Sequence, residues 1–535
     1  IQISFTLTGR SEFDRALQVN AAAEQITLEK LGRESGAYGS CCFNRGRVYY
    51  FKGEYPEAEK WYLESKIIRE KALGIGHPDY VRSLNNLGIL YKDMGNYEKS
   101  EVLLLESVTL SEKVLGKEHP EYSTSLMGLG NLYGKMGNYE KAESLYLESI
   151  ALREKVLGKE HPNYARSLMS LANLYTMMGN YEKAESLYLE SLAIQEKVLG
   201  KEHPNYAISQ TNLGNLYCMM GNYEKAEPLY LQSKGIKEKL FGKEHPEYAT
   251  SLTNLGNLYM EIGNYEKAEQ LYLVALTISE KVSGKENLDY ARSLQNLAIL
   301  YIRMGKYEKV ELLYLESITI LEKVLGNEHP EYAQGLYNLG NLYFRMDNYE
   351  KAKLLYTESI AIWEKTFGKE HRNYANGLKS LGNLYYAMGN YEKAEPFYLE
   401  AKAIREKVSG KEHPDYARSL KSLADLYEDQ HRFSESESLL DEYFILSRTE
   451  LAKSAAFLSI NELANYEVTF RESGDNLLSK TLSRQLKKER TGILPELIYD
   501  HALFQKGFLL SAAVRLNALP NVSPEITEIN NRLKG

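Results

Sequence analysis

Residues 179–207 read GNYEKAESLYLESLAIQEKVLGKEHPNYA, from Gly179 to Ala207, and nearly the same words recur along the chain. His77, His119, His161, His203, His245, His329, His371 and His413 fall on one register of 42 residues. The single gap is at 287, where Asn287-Leu288 stands in place of His-Pro, and the register then resumes. A fixed period of this kind marks stacked repeats that grow as one body, which overrides the several domains that 535 residues would otherwise suggest.

One unit reads as two helices. Pro162 suits a first turn, where a missing N–H costs nothing. Leu168, Leu171, Ala172 and Tyr175 follow at i, i+3, i+4 and i+7, one face of a first helix. Gly179-Asn180 ends it in left-handed geometry. Tyr181, Ala184, Tyr188 and Ser191 stripe a second helix, widened by Leu187 and Ile194, which Gly200 stops. The place of Ala172 holds Gly46, Gly88, Gly130, Gly214, Gly256, Ala298, Gly340, Gly382 and Ala424, so the two helices approach closely at a small residue. The place of Ala184 is as small everywhere except Val310, which predicts local irregularity in the unit that also lacks His-Pro.

Small residue, aromatic, glycine turn, aromatic, alanine, aromatic: this pattern resembles the tetratricopeptide repeat over roughly residues 1–448. First helices start near 39, 81, 123, 165, 207, 249, 291, 333, 375 and 417, and Phe13, Ala16 and Ala23 place the chain's opening inside an eleventh unit. The longer unit with its EKVLGKEHP tail resembles the repeats of kinesin light chains and of many bacterial multi-repeat proteins. The resemblance implies an all-α fold, a right-handed α-solenoid of about eleven helix pairs with a C-terminal helical connector. It also implies a concave groove lined by the first helices.

Chemistry within the repeat is not expected. Equivalent residues of stacked units lie on the order of 10 Å apart, whereas zinc holds its ligands at about 2 Å. One histidine per layer therefore reads as a helix-entry cap before proline, and no metal or cofactor is expected. Glu182 and Lys183 point apart and read as a solvated face, not as acid and base. The turn glycines are single and lack phosphate-loop spacing. The formal charge of -8 argues against a nucleic-acid or anionic-membrane surface. No apolar run approaches the roughly 18 residues of a membrane helix. Cys41, Cys42 and Cys218 are too few for a disulfide framework and suit a reducing, cytoplasmic setting.

The residues that vary carry the functional expectation. Asn131, Asn173, Asn215, Asn257, Asn341 and Asn383 form a ladder offset from the packing stripe. Amides that both donate and accept can clamp an extended peptide backbone. A second place changes steadily through Met127, Met169, Thr211, Thr253, Gln295, Tyr337, Lys379 and Lys421, and a neighbouring one through Cys218, Met260, Ile302, Phe344 and Tyr386. The expected groove is apolar and sulfur-rich in the middle, then aromatic, then basic, which suits one long protein or peptide ligand.

After Arg448 the period is lost, and residues 449–535 read as an amphipathic helical capping and connecting segment. LPELIYDHALFQKGFLLSAAVRLNAL, Leu494 to Leu519, with Tyr499-Asp500, Ala502-Leu503 and Lys506-Gly507, resembles the connector between such repeats and a caspase-like CHAT protease domain in bacterial proteins. That resemblance implies the sensing and docking arm of a cysteine protease whose His/Cys dyad lies further along, so no catalytic residue is assigned in this chain. A kinesin-light-chain-like cargo adaptor and the sensor portion of a signalling ATPase are the alternatives.

Overall fold

A computed structural model describes residues 2–9 and 12–455, together with Leu497 and Asp500. All regular secondary structure among the described residues is helical, without a strand. A short helix Gln2–Gly9 packs on Phe13–Leu31, and ten helix pairs follow in tandem. They run from Gly36–Lys52 with Tyr55–Leu73 to Pro414–Asp429 with Phe433–Ala455. Contacts gather the chain into two compact units, Ile1–Leu216 with Glu227–Gly377, and Tyr217–Ala226 with the chain from Leu378 onward.

The histidines are caps. His161 Nδ1 accepts the backbone N–H of Asn163 at 3.0 Å. The same bond forms at His77, His119, His203, His245, His329, His371 and His413. Asn287 does the same work with its Oδ1, which accepts the N–H of Asp289 at 2.8 Å. The unit expected to be irregular therefore is not. Its first helix is Leu288–Arg303, with the usual 16 residues, and Val310 is fully buried.

Each turn is closed by a left-handed residue, and most by a second cap as well, Glu54 and Lys306 being exceptions. Gly179 has φ 75°, and Asn180 Oδ1 accepts the N–H of Lys183 at 3.4 Å. Within a pair, a ring wedges against the small place. A Cβ on Gly256 would stand 2.5 Å from the ring of Tyr272, which is 1% exposed.

Between neighbouring pairs the polar words of the repeat act as latches. Tyr133 on a first helix donates its hydroxyl to Glu101 of the preceding second helix at 2.7 Å, and Tyr175 does so to Glu143 at 2.6 Å. Burial, reinforced by the carboxylate, pushes both phenols up to about 12. Lys155 reaches Glu118 at 2.6 Å, and Lys197–Glu160, Lys239–Glu202, Lys281–Glu244 and Lys365–Glu328 repeat that step. These surface pairs, about 70% exposed at Lys155–Glu118, contribute little each, on the order of 0–1 kcal/mol.

Within the first unit the chain also returns on itself. His329 Nε2 bonds the backbone oxygen of Asp93 at 3.0 Å, and His371 Nε2 that of Lys135 at 3.3 Å. Asn287 Nδ2 donates to the backbone oxygen of Lys52 at 3.4 Å. The rings of Tyr97 and Phe367 stack at 5.3 Å. The partners are 235 or 236 residues apart in sequence. The entry loops of three later pairs thus sit on the turns of three early ones, a seam that the repeat itself does not announce.

The expected segment 449–535 lies outside the described residues, apart from the end of Phe433–Ala455, Leu497 and Asp500. Leu497 is 4% exposed against Ala424, Leu440 and Phe444.

Candidate functional site: the first-helix face

The asparagine ladder is anchored from behind. Tyr146 donates its hydroxyl to Asn131 Oδ1 at 2.7 Å, fifteen residues on. Tyr230 and Asn215 (2.7 Å), Tyr272 and Asn257 (2.5 Å), Tyr356 and Asn341 (2.7 Å), Tyr398 and Asn383 (2.8 Å), and Tyr188 and Asn173 repeat the bond. Both partners are replaced at Ile89 with Leu104 and at Asp425 with Leu440, whereas Tyr314 is kept opposite Ile299. A buried phenol needs an acceptor, and the amide oxygen supplies it. Asn131, Asn173, Asn215 and Asn257 remain exposed, and Asn341 and Asn383 half-buried, each with an amide N–H2 that donates to no group among the described residues. So half of each amide is structural and half faces outward.

The second series makes contacts within the fold, and all but Met127 stay half-buried. Met127 is buried. Met169 Sδ accepts from Ser209 at 3.5 Å, and Thr211 Oγ1 bonds the backbone oxygen of Ala207 at 3.0 Å and shares a proton with Ser233 at 2.8 Å. Thr253 bonds the backbone oxygen of Ala249 at 3.1 Å. Gln295 lies half-buried beside Gly335. Tyr337 lies 5.6 Å from the ring of Tyr356 and 5.4 Å from Trp363. Lys379 is half-buried, and desolvation, then Arg405 and Arg418, bring its amine down to about 8. Lys421 pairs with Asp425 at 3.1 Å. The neighbouring series is mixed, with Met260 and Ile302 half-buried and Tyr386 donating to the carboxylate of Asp429.

A third place, four residues into the first helix, holds Arg82, Arg166, Arg292 and Arg418 in four units. Arg82 meets Asp79 at 3.0 Å and Glu121 at 2.6 Å. Arg292 meets Asp289 at 3.5 Å and Glu331 at 2.8 Å. Arg418 pairs with Asp415. At Arg166 both acidic places are amides, Asn163 and Asn205, and its exposed guanidinium makes no ion pair among the described residues.

Beside it lies Arg153, 8% exposed, which donates to Ser123 Oγ at 2.6 Å, the backbone oxygen of Asn163 at 2.8 Å and Ser167 Oγ at 2.8 Å. Burial, then repulsion from Arg166, lowers its guanidinium to about 10. In two other units the equivalent buried arginines, Arg69 and Arg405, bond the backbone oxygens of Asp79 and Asp415 in the same way, and there the side chain is a carboxylate that pairs with Arg82 or Arg418 and lies within electrostatic reach of the buried guanidinium. Periodicity draws attention to what recurs. Arg166 emerges only when the acidic places are compared unit by unit.

Cys41 and Cys42 are buried thiols and Cys218 is a half-buried one, none of them in a disulfide. No helix among the described residues is long and apolar enough to cross a membrane.

A family model described as "Tetratricopeptide repeat" matches in nine overlapping stretches: 37–113, 85–155, 123–197, 168–239, 209–281, 247–323, 313–365, 331–407 and 374–444. Among solved structures, a putative kinesin light chain from Podosopora anserina with nearly identical TPR-like repeats is 31% identical, with a TM-score of 0.33 over 38% of this chain and 97% of that one. BtubC (BKLC) from P. vanneervenii is 24% identical, with a TM-score of 0.36 over 44% of this chain and 92% of its own. A Rap protein complexed with Competence and Sporulation Factor is 14% identical, with a TM-score of 0.48 over 70% and 99%. No curated protein matches the chain.

Proposed function

The chain belongs to the tetratricopeptide-repeat family, and we propose that it is a protein-recognition scaffold whose first-helix face holds an extended, acidic stretch of a protein or peptide partner. The observation that carries this reading is Arg166. It is an exposed guanidinium that departs from Arg82, Arg292 and Arg418 in having neither carboxylate, with Arg153 beside it equally without one. A partner's carboxylate would pair with Arg166 as Asp79 and Asp415 pair with Arg82 and Arg418 elsewhere. The outward amides of the asparagine ladder would run along the backbone on either side.

A decapeptide containing six consecutive glutamates, fluorescein-labelled, tests this by anisotropy. Wild type should bind it. Arg166→Gln should weaken binding roughly tenfold, the worth of one charge-assisted contact. Asn163→Asp should weaken it too, by restoring the internal carboxylate. Equal binding by all three proteins, or none by wild type, would refute the reading.

A finer reading makes this scaffold the regulatory arm of a CHAT-type caspase-like protease in a reducing, cytoplasmic setting. The resemblance of residues 494–519 supports it, as does the seating of Leu497 on Ala424, Leu440 and Phe444 at the end of the stack. The native protein, isolated from its source, should then show cysteine-protease activity that responds to a bound partner. Activity indifferent to the partner, or its absence, would overturn it.

A further inference from the structure

The seam within the first unit joins three entry loops to three turns by one recurring bond. In each, a helix-capping side chain turns its second polar atom to the backbone oxygen at the end of a helix 235 or 236 residues earlier. At Asn287 that atom is an amide N–H2, and no proton change can remove it. At His329 and His371 it is an imidazole. Nδ1 in both accepts the cap N–H, so Nε2 must carry the proton and donate to Asp93 and Lys135. That tautomer is neutral. A second proton can enter only at Nδ1, where it meets the N–H of Glu331 or Asn373 and abolishes the cap.

Both rings are buried at the seam, although burial alone does not mark it, since His245 is 9% exposed as well. His329 and His371 are each 5% exposed, whereas the side chain of His77, which caps without a seam contact, is 42% exposed. The ring of His371 stacks on Phe367 at 3.9 Å, and Phe367 in turn on Tyr97.

We propose that this seam is an acid-released clasp, closed while His329 and His371 are neutral and opened when they take up protons, with Asn287 as the fixed point.

The charged surroundings do not rescue the protonated form. His371 faces Arg372 and Lys135, both cations, and follows Glu370, whose backbone oxygen approaches Gly137. His329 faces Glu331, but that carboxylate is already held by Arg292, and Lys135 lies near as well. Asp93 offers His329 its backbone oxygen, while its carboxylate accepts from the Tyr50 hydroxyl at 2.6 Å and pairs with Lys92 at 3.1 Å. The hydroxyls of Tyr55 and Tyr97 complete the surroundings.

Burial lowers both imidazoles, His371 to about 4. The sign follows from that direction. The open form binds protons below the ordinary value of 6.5 and the closed form does not. The seam is therefore fully stable above pH 6.5 and weakens as pH falls towards 4. By linkage His371 alone raises the ratio of open to closed on the order of twentyfold between pH 7 and pH 5.

The test uses spin labels at Glu140→Cys and Lys369→Cys, on either side of the His371 contact, in the full chain carrying Cys218→Ser. Pulsed electron resonance reads the distance at pH 7.5 and pH 5, and far-UV circular dichroism confirms that the helices persist. A longer-distance population should appear at pH 5. It should be absent when His329→Asn and His371→Asn make all three contacts resemble that of Asn287. A distance unchanged between the two pH values, in a chain that remains helical, overturns the clasp without needing the variant. Equal opening by the double variant assigns the release to groups other than these histidines and overturns it as well. The ligand-binding reading plays no part in either outcome.

Discussion

Two kinds of interface hold the first unit together, and they differ in how they arise. The local interface, within a pair and between neighbouring pairs, is spelled out in most repeats: a tyrosine wedged on a small residue, a tyrosine hydroxyl on a glutamate, a lysine on a glutamate of the previous loop. The seam is spelled out nowhere. Its partners lie 236 residues apart at His329 and His371, which is not a multiple of 42. It forms where later entry loops meet earlier turns. A repeat protein is commonly treated as a one-dimensional sum of layers and nearest-neighbour contacts. Here a second, non-local set of contacts is added to that sum.

The largest break should come from the local interface. Tyr272→Ala removes a ring that is 1% exposed, together with its bond to Asn257, and should cost about 3–5 kcal/mol in urea denaturation. The comparison is sharpened by two histidines with the same cap. His161 only caps, so His161→Ala should cost about 1 kcal/mol. His371 caps, bonds across the seam and stacks on Phe367, so His371→Ala should cost roughly 1–3 kcal/mol more, the penalty for a lost buried hydrogen bond. Equal losses at the two sites would mean that the seam adds nothing. The smallest effect belongs to the surface latch. Lys197→Gln should change stability by about 0.5 kcal/mol or less, and the difference should vanish in high salt.

The legible and illegible parts of the site divide along the same line. The register, both helices of each unit, the glycine turn and the histidine cap could all be read, because each depends on residues within a few turns. The asparagine ladder was placed on the first helix correctly, but its bond to a tyrosine fifteen residues on was not foreseen, and that bond occupies half of each amide. The series from Met127 to Lys421 was read as groove-lining because it varies. Its members also have partners within the fold that differ from unit to unit, such as Trp363 for Tyr337 and Ser209 for Met169. Val310 and the missing His-Pro were read as irregularity, yet Asn287 keeps the cap and adds the seam contact. Arg166 was overlooked because its meaning lies in two carboxylates that are present elsewhere and replaced here.

The most direct measurement is hydrogen exchange on the intact Phe367→Ala variant, which removes the stacking partner of both Tyr97 and His371. If the two interfaces are separable, exchange will quicken around residues 52–54, 93–97, 135–138, 284–287, 326–329 and 368–371, while the helix pairs keep their protection. Loss of protection throughout the helix pairs would contradict this, because seam and layers would then be a single cooperative structure.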